Sequence, residues 1–152
     1  MSDARTFFGA DLRLLGDLRF QNDRAGGSDL MTDARPGDGP VDLRTVTDAD
    51  NLSQALLLRF LTRRGDLGRL GHPDYGSRLY TLIGELNTPT NRNRAKLFVL
   101  EALATEPRVA QVLSVDVTAG ARDRIDVRVT LLAIAGGTPL DLVFPFFLGS
   151  PQ

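Results

Sequence analysis

The side chains of this chain that could do chemistry are few: three glutamates (Glu85, Glu101 and Glu106), one histidine (His72), and arginines spread from Arg59 to Arg108. Two carboxylates across one cleft could cleave a glycosidic bond, which needs a separation of about 5 to 9.5 Å and one carboxyl with a raised pKa. Glu101 and Glu106 are close in sequence, but Arg108, two positions beyond Glu106, lowers that carboxyl's pKa rather than raising it. His72 lies in the turn Gly71-His72-Pro73 with neither a cysteine nor a serine nucleophile motif beside it, so a loop hydrogen-bonding role is expected. The spaced glycines Gly65, Gly68 and Gly71 follow a helical pattern rather than a strand, the wrong context for a phosphate cradle. With no cysteine and a single histidine, a zinc site is not expected either. No catalytic residue, metal or cofactor is therefore expected.

A different kind of chemistry is available at Glu106-Pro107-Arg108. Proline fixes its own φ and pushes the preceding residue out of helical geometry, so the two charged side chains are expected to project from a defined bend. Arg108 offers a planar fork for bidentate pairing with a carboxylate, and Glu106 can accept from backbone amides or a partner's base. The alternative is an internal salt bridge that ends the preceding helix, and the two roles can coexist. Other bases, Arg92, Arg94 and Lys96 in one group and Arg59, Arg63, Arg64 and Arg69 in another, read as solvated faces or as contacts to acidic proteins.

The elements that must position this corner can be read from periodicity. Residues 21–40, dense in Gly, Asp and Pro, read as a linker or long loop. Before them, Phe7, Phe8, Leu12, Leu14, Leu15, Leu18 and Phe20 form an apolar arm that must pack on a neighbouring subunit or back on its own domain. Compact structure is expected from Val41, where VDLRTV could form a short strand, followed by a helix capped by Asp48 or Asp50. That helix carries Leu52, Leu56 and Phe60 on one face, widened by Ala55, Leu58 and Leu61, with Arg63 and Arg64 in its last turn and Gly65 terminating it. A second helix is expected after Asp74, with Tyr75, Leu79, Leu82 and Ile83 inward and Gly84 ending it. A third has Thr88 as cap, Pro89 at its first position, Leu97, Leu100, Leu103 and Ala104 inward, and Pro107 as its stop.

From there the period switches to strand. Leu113, Val115 and Val117, then Ile125, Val127, Val129 and Leu131, make a hairpin around Gly120, and a third strand follows Gly136-Gly137. In that last strand Leu142, Phe144, Phe146 and Leu148 alternate with Val143, Pro145 and Phe147, so both faces are apolar. Pro145 assigns the strand to an edge or a bulge, and an apolar edge needs a cover, either the helices or an added strand from a partner. The expected fold is α+β, three helices packed on a small antiparallel sheet with an N-terminal arm. Its expected domains are an arm and linker at 1–40 and a compact domain at 41–148.

Composition agrees. At 152 residues, 42% hydrophobic and 24% charged, the chain is long enough for one self-sufficient core. No apolar run approaches the roughly 20 residues of a membrane span. The N-terminal MSDARTFFGADLRLL carries acids where a signal peptide would carry bases, so a cytoplasmic location is expected. A net charge of −1 argues against nucleic acid as a partner. The charge is uneven: residues 1–50 hold 10 acids and 6 bases, and residues 51–152 hold 9 acids and 12 bases, which assigns the two parts different jobs.

Glu106-Pro107-Arg108, following LEALAT and preceding VAQVLSVDV, resembles the hallmark of the baseplate wedge proteins of T-even-type phages and of their counterparts in type VI secretion and extracellular contractile injection systems. The flanks NLSQALLLRFLTRRGDL and GHPDYGSRLYTLIGE are similar to that family's first helix, its threonine-and-glycine turn and its Pro-x-Tyr-Gly-x-x-Leu segment. The likeness covers residues 50–148. The family's Thr-Pro-x-Gly turn is Thr62-Arg63-Arg64-Gly65 here, and the first 40 residues have no clear counterpart. The resemblance implies a non-enzymatic baseplate subunit, present in several copies, six by the family's pattern, and joined to the particle after assembly in the cytoplasm. It implies that Glu106, Pro107 and Arg108 dock on a helical bundle of larger wedge proteins. It further implies that the strand bearing Leu140, Leu142, Val143, Phe144, Phe146 and Phe147 templates the first ring of sheath subunits by strand exchange. The arm is then free for a central spike, hub or tube-initiator protein. Some members of the family are described as lysozyme-like, so peptidoglycan cleavage is the alternative.

Overall fold

In the computed structural model, which describes residues 8–16, 30–34, 37, 41–134 and 137–149, the chain opens with four short strands. These are β1 (Ala10–Leu12), β2 (Thr32–Ala34), β3 (Val41–Leu43) and β4 (Thr45–Thr47). Helix α1 (Asp48–Leu61) follows, then a long irregular connection, helix α2 (Pro89–Ala104), and the strands β5 (Val109–Ala119), β6 (Arg124–Ala133) and β7 (Leu140–Phe147). β5, β6 and β7 form an antiparallel sheet in that order, while β1 pairs with β4 and β2 with β3 as two-stranded antiparallel ribbons. The fold is α+β, but with two α-helices among the described residues rather than three.

The missing helix has a physical cause. After α1 the backbone turns out at Thr62, and residues 62–64 pair with the chain returning through Ser77. Ser77 N–H donates to Thr62 O (2.9 Å) and Arg64 N–H to Ser77 O (3.0 Å), a short parallel bridge. The Ser77 hydroxyl donates to Phe60 O at 2.6 Å. Gly76, at φ 104°, lies so close to this turn that a Cβ there would be 2.7 Å from Thr62 O. Backbone groups spent on this contact cannot join a helical ladder. Only the four-residue 3-10 turn Leu79–Leu82 remains of the expected helix, with Leu79 and Leu82 buried and Ile83 and Tyr80 exposed.

The core lies between one face of the sheet and the two helices. Ile125, Val127, Val129 and Leu131 of β6 and Leu142, Phe144 and Phe146 of β7 meet Leu52, Leu56, Leu57 and Phe60 of α1 and Phe98, Val99 and Leu103 of α2. Phe60 stacks on Phe144 with ring centroids 5.1 Å apart. Several side-chain expectations fail here. Leu97 and Leu100 face outward, because the inner stripe of α2 runs through Ala95, Phe98, Val99, Ala102 and Leu103. Leu113 is exposed because a register shift between Val112 and Ser114 leaves it opposite no partner residue. Arg63 and Arg64 lie beyond the end of α1, which closes at Leu61 with an extended Thr62 as cap. Neither Asp48 nor Asp50 is the N-cap; Thr47 is. The start of α2 is as expected, with the Thr88 hydroxyl accepting from Asn91 N–H and Pro89 at the first position.

The arm partly docks on its own domain. Phe8 is buried, and Asn51 Nδ2 donates to its carbonyl at 2.6 Å. Gln54 accepts from Leu14 N–H (2.9 Å) and Leu15 N–H (3.3 Å) and donates to Leu12 O (2.8 Å). One buried amide side chain thus holds the segment by three of its backbone groups. Phe7, Leu18, Phe20 and most of 21–40 lie outside the described residues.

Candidate functional site

The corner after α2 is built from two elements. α2 ends at Ala104, Thr105 caps it, and Glu106 N–H donates to Leu103 O. Val109 N–H then donates to Glu106 O, and Ile134 N–H to Arg108 O, which fixes the bend against the end of β6. Pro107 is exposed and Arg108 half-buried. Glu106 does not project: it is 6% exposed and its carboxylate points inward.

What receives it there is Arg59 of α1. Glu106 Oε2 accepts from Arg59 Nη2 at 3.0 Å, while Oε1 accepts from Arg108 Nε at 2.7 Å and Arg108 N–H at 3.3 Å. Arg59 Nη1 donates to the Thr105 hydroxyl at 2.9 Å, and its guanidinium lies 4.6 Å from the centre of the Tyr75 ring. Burial alone would push the Glu106 carboxyl up. The hydrogen bonds and charge of Arg108, with the charge of Arg59, more than offset that and hold it below the usual 4.5. The same surroundings push the Tyr75 phenol up from 10.0, because burial and the Glu106 charge outweigh the two arginines.

Sequence reasoning read Glu106 and Arg108, but it placed Arg59 on a solvated face or an acidic-partner contact, whereas Arg59 is buried against Glu106, and it connected neither Thr105 nor Tyr75 to the corner. The signal was present: Arg59 follows Leu52 and Leu56 at helical spacing, on the face that must be buried. A cation inside an apolar stripe requires an acid from elsewhere in the fold.

The second predicted surface, β7, is an edge strand. Leu142, Phe144 and Phe146 are buried inward, and Leu140, Val143 and Phe147 are half-buried. Leu148 N–H donates to Asp123 O at 2.8 Å, extending the register that pairs Phe147 with Arg124. The even-numbered residues of β7 therefore bond to β6, and Pro145 turns its donorless nitrogen to the outer edge, where no ladder bond is lost. The helices cover only the inner face. On the other face Asp116, Arg124, Asp126, Arg128, Val143 and Pro145 line an open hollow of about 490 Å³.

The fold is similar to that of a crystal structure described as a "putative tail lysozyme" from Geobacter sulfurreducens. The two share 25% sequence identity and a TM-score of 0.55 over 65% of this chain and 89% of that one. No protein-family model matches the chain, and no curated protein does.

The remaining sequence candidates are dispersed. Glu101 faces Arg78 at 3.8 Å, Glu85 is exposed, and His72 lies in an exposed turn. Asp126 pairs with Arg124 at 3.0 Å. Many arginines are occupied within the chain: Arg64 pairs with Asp74, Arg92 donates to Asn87, and Arg78 and Arg94 lie over the Phe98 ring. No group of three or more potential metal ligands occurs among the described residues, and none of their helices is long and apolar enough to cross a membrane.

Proposed function

We propose that this chain is a structural subunit of the baseplate of a phage tail or contractile injection machine. In this reading the Glu106-Pro107-Arg108 corner docks on a bundle formed by larger wedge proteins, and the outer edge of β7 receives a strand of the first sheath ring. Several copies, six by the family pattern, would surround the tube. The observation that carries the reading is the likeness to the Geobacter tail protein over most of that protein's length. The geometry of the corner favours assembly over catalysis. A general acid of a glycosidase needs a raised pKa, and the Glu106 carboxyl is held low with both oxygens occupied. At β7, Pro145 on the outer edge limits the bonds an added strand can make, which suits a dedicated partner rather than uncontrolled edge pairing.

The test is complementation. In the organism of origin, a chain carrying Arg108→Ala should be folded and soluble yet yield no sheathed particles. Normal particles from that variant would reject docking at the corner.

The neighbour's description supports a second reading, peptidoglycan cleavage, with Asp116 and Asp126 in the open hollow as the carboxylates to examine. Purified protein should then clear a peptidoglycan suspension, and Asp126→Asn should abolish the clearance. No clearance by the wild-type chain disposes of it.

A further inference from the structure

The corner holds two guanidinium groups and one carboxylate, and the hydrogen bonds assign them unequal duties. Glu106 is buried and both of its carboxylate oxygens accept from inside the domain, so it presents neither oxygen to a partner. Arg59 is clamped on three sides by Glu106, Thr105 and the Tyr75 ring, and its side chain is 10% exposed. Arg108 alone reaches solvent, with 28% of its side chain exposed. Its Nε is spent on Glu106, while Nη1 and Nη2 have no partner among the described residues. A planar guanidinium held by Nε keeps its two terminal nitrogens in one fixed outward fork.

Charge points to what the fork receives. Two cations and one anion leave one positive charge uncompensated at the corner. Around it, Arg64 is neutralised by Asp74 and Arg78 faces Glu101, so neither pair supplies a spare acid. Two coplanar donors with a net positive charge match the two oxygens of a carboxylate.

Resting on the docking reading above, we infer that the corner captures a single Asp or Glu side chain of the wedge partner. In this arrangement Arg108 is the contact, and Arg59 is a positioning residue that acts through Glu106 to aim it. Arg59 sets the Glu106 carboxylate, and the carboxylate sets the plane of Arg108. The exposed charge is therefore directed by a residue that a partner never touches.

The test has two arms. In the free chain, the Arg108 Nε–H should give a discrete, slowly exchanging signal in nitrogen-15 NMR. That signal should broaden or merge with those of solvent arginines in Arg59→Lys, which lacks the planar fork that reaches Thr105 and Glu106 from two separate nitrogens. Thr105→Val, at an exposed position, removes only one anchor of Arg59 and should shift the same signal if Arg59→Lys does not fold. An unchanged signal in a folded variant overturns the positioning role, whatever the fate of the docking reading.

In the second arm, Arg108→Lys keeps the charge but loses the fork and should lower particle yield about tenfold or more. Arg108→Glu should abolish it. Second-site suppressors of Arg108→Glu should be Asp or Glu changed to Lys or Arg at one position of a partner protein. Full yield from Arg108→Lys, or suppressors that never reverse an acidic charge, overturns the carboxylate assignment. Normal yield from Arg108→Glu overturns the docking reading itself.

Discussion

Replacing Glu106 with glutamine changes one oxygen into an amide and removes one charge, yet it should cost more stability than removing the whole side chain of Arg108. In the wild type three donors converge on the carboxylate, two of them from guanidinium groups. The amide of Glu106→Gln must turn its NH2 towards either Arg59 or Arg108, setting donor against donor. Arg59, 8% exposed as a residue, cannot recover hydration, and its Nε already lacks a hydrogen-bond partner. Breaking a buried ion pair from one side costs about 3–5 kcal/mol. Because Arg59 keeps Thr105 and the Tyr75 ring, the lower end, about 3 kcal/mol, is expected. For a chain of this size that is a melting temperature lower by about 10 °C. Arg108→Ala, at a partly exposed pair that leaves Glu106 with Arg59, should cost about 1 kcal/mol or less. Urea unfolding followed by circular dichroism measures both, with an unchanged m-value as the check that the unfolded states match. Arg59→Met combined with Glu106→Gln should be more stable than the sum of the single costs allows, since the second change removes the charge the first one stranded. The pH dependence carries the same sign. The Glu106 carboxyl is held below 4.5, so its contribution is complete above that value and drains as pH falls through the lower folded value. The gap between wild type and Glu106→Gln should therefore narrow from pH 7 towards pH 3. A gap under about 1 kcal/mol at pH 7, or one that does not narrow in acid, would refute the buried-pair account.

The other two predictions concern neighbours of the corner. Spectrophotometric titration should find Tyr75 ionising above 10.0, and Arg59→Met should raise it further, because Arg59 is the larger of the two nearby charges that lower it; a fall would mean that burial is not what raises the wild-type value. Gly76→Ala should destabilise by about 2 kcal/mol or more, since it adds a Cβ 2.7 Å from Thr62 O at a φ of 104°; a neutral effect in thermal melts would mean that the turn after α1 has slack.

The sequence by itself determined what depends on near neighbours in the chain. Thr88-Pro89 starts α2 because a cap and a first-turn proline act within four residues. The alternation of Ile125 to Leu131 gives β6 one dry face, because the strand period is local. Pro145 at the outer edge of β7 was legible for the same reason. Tertiary structure alone decided the rest. The periodicity of residues 75–83 favoured a helix, but Ser77 was claimed by the turn after α1, and Leu113 was turned outward by a bulge whose cause lies in pairing with β6. Phe8 to Gly16 docked on Asn51 and Gln54 across some forty residues of sequence, a distance over which no local pattern carries information. The corner shows the division most clearly. Sequence named Glu106, Pro107 and Arg108 and left open two outward charges or an internal salt bridge; the fold supplied Arg59, and the cost of burying an unpaired cation turned Glu106 inward and left Arg108 facing out alone.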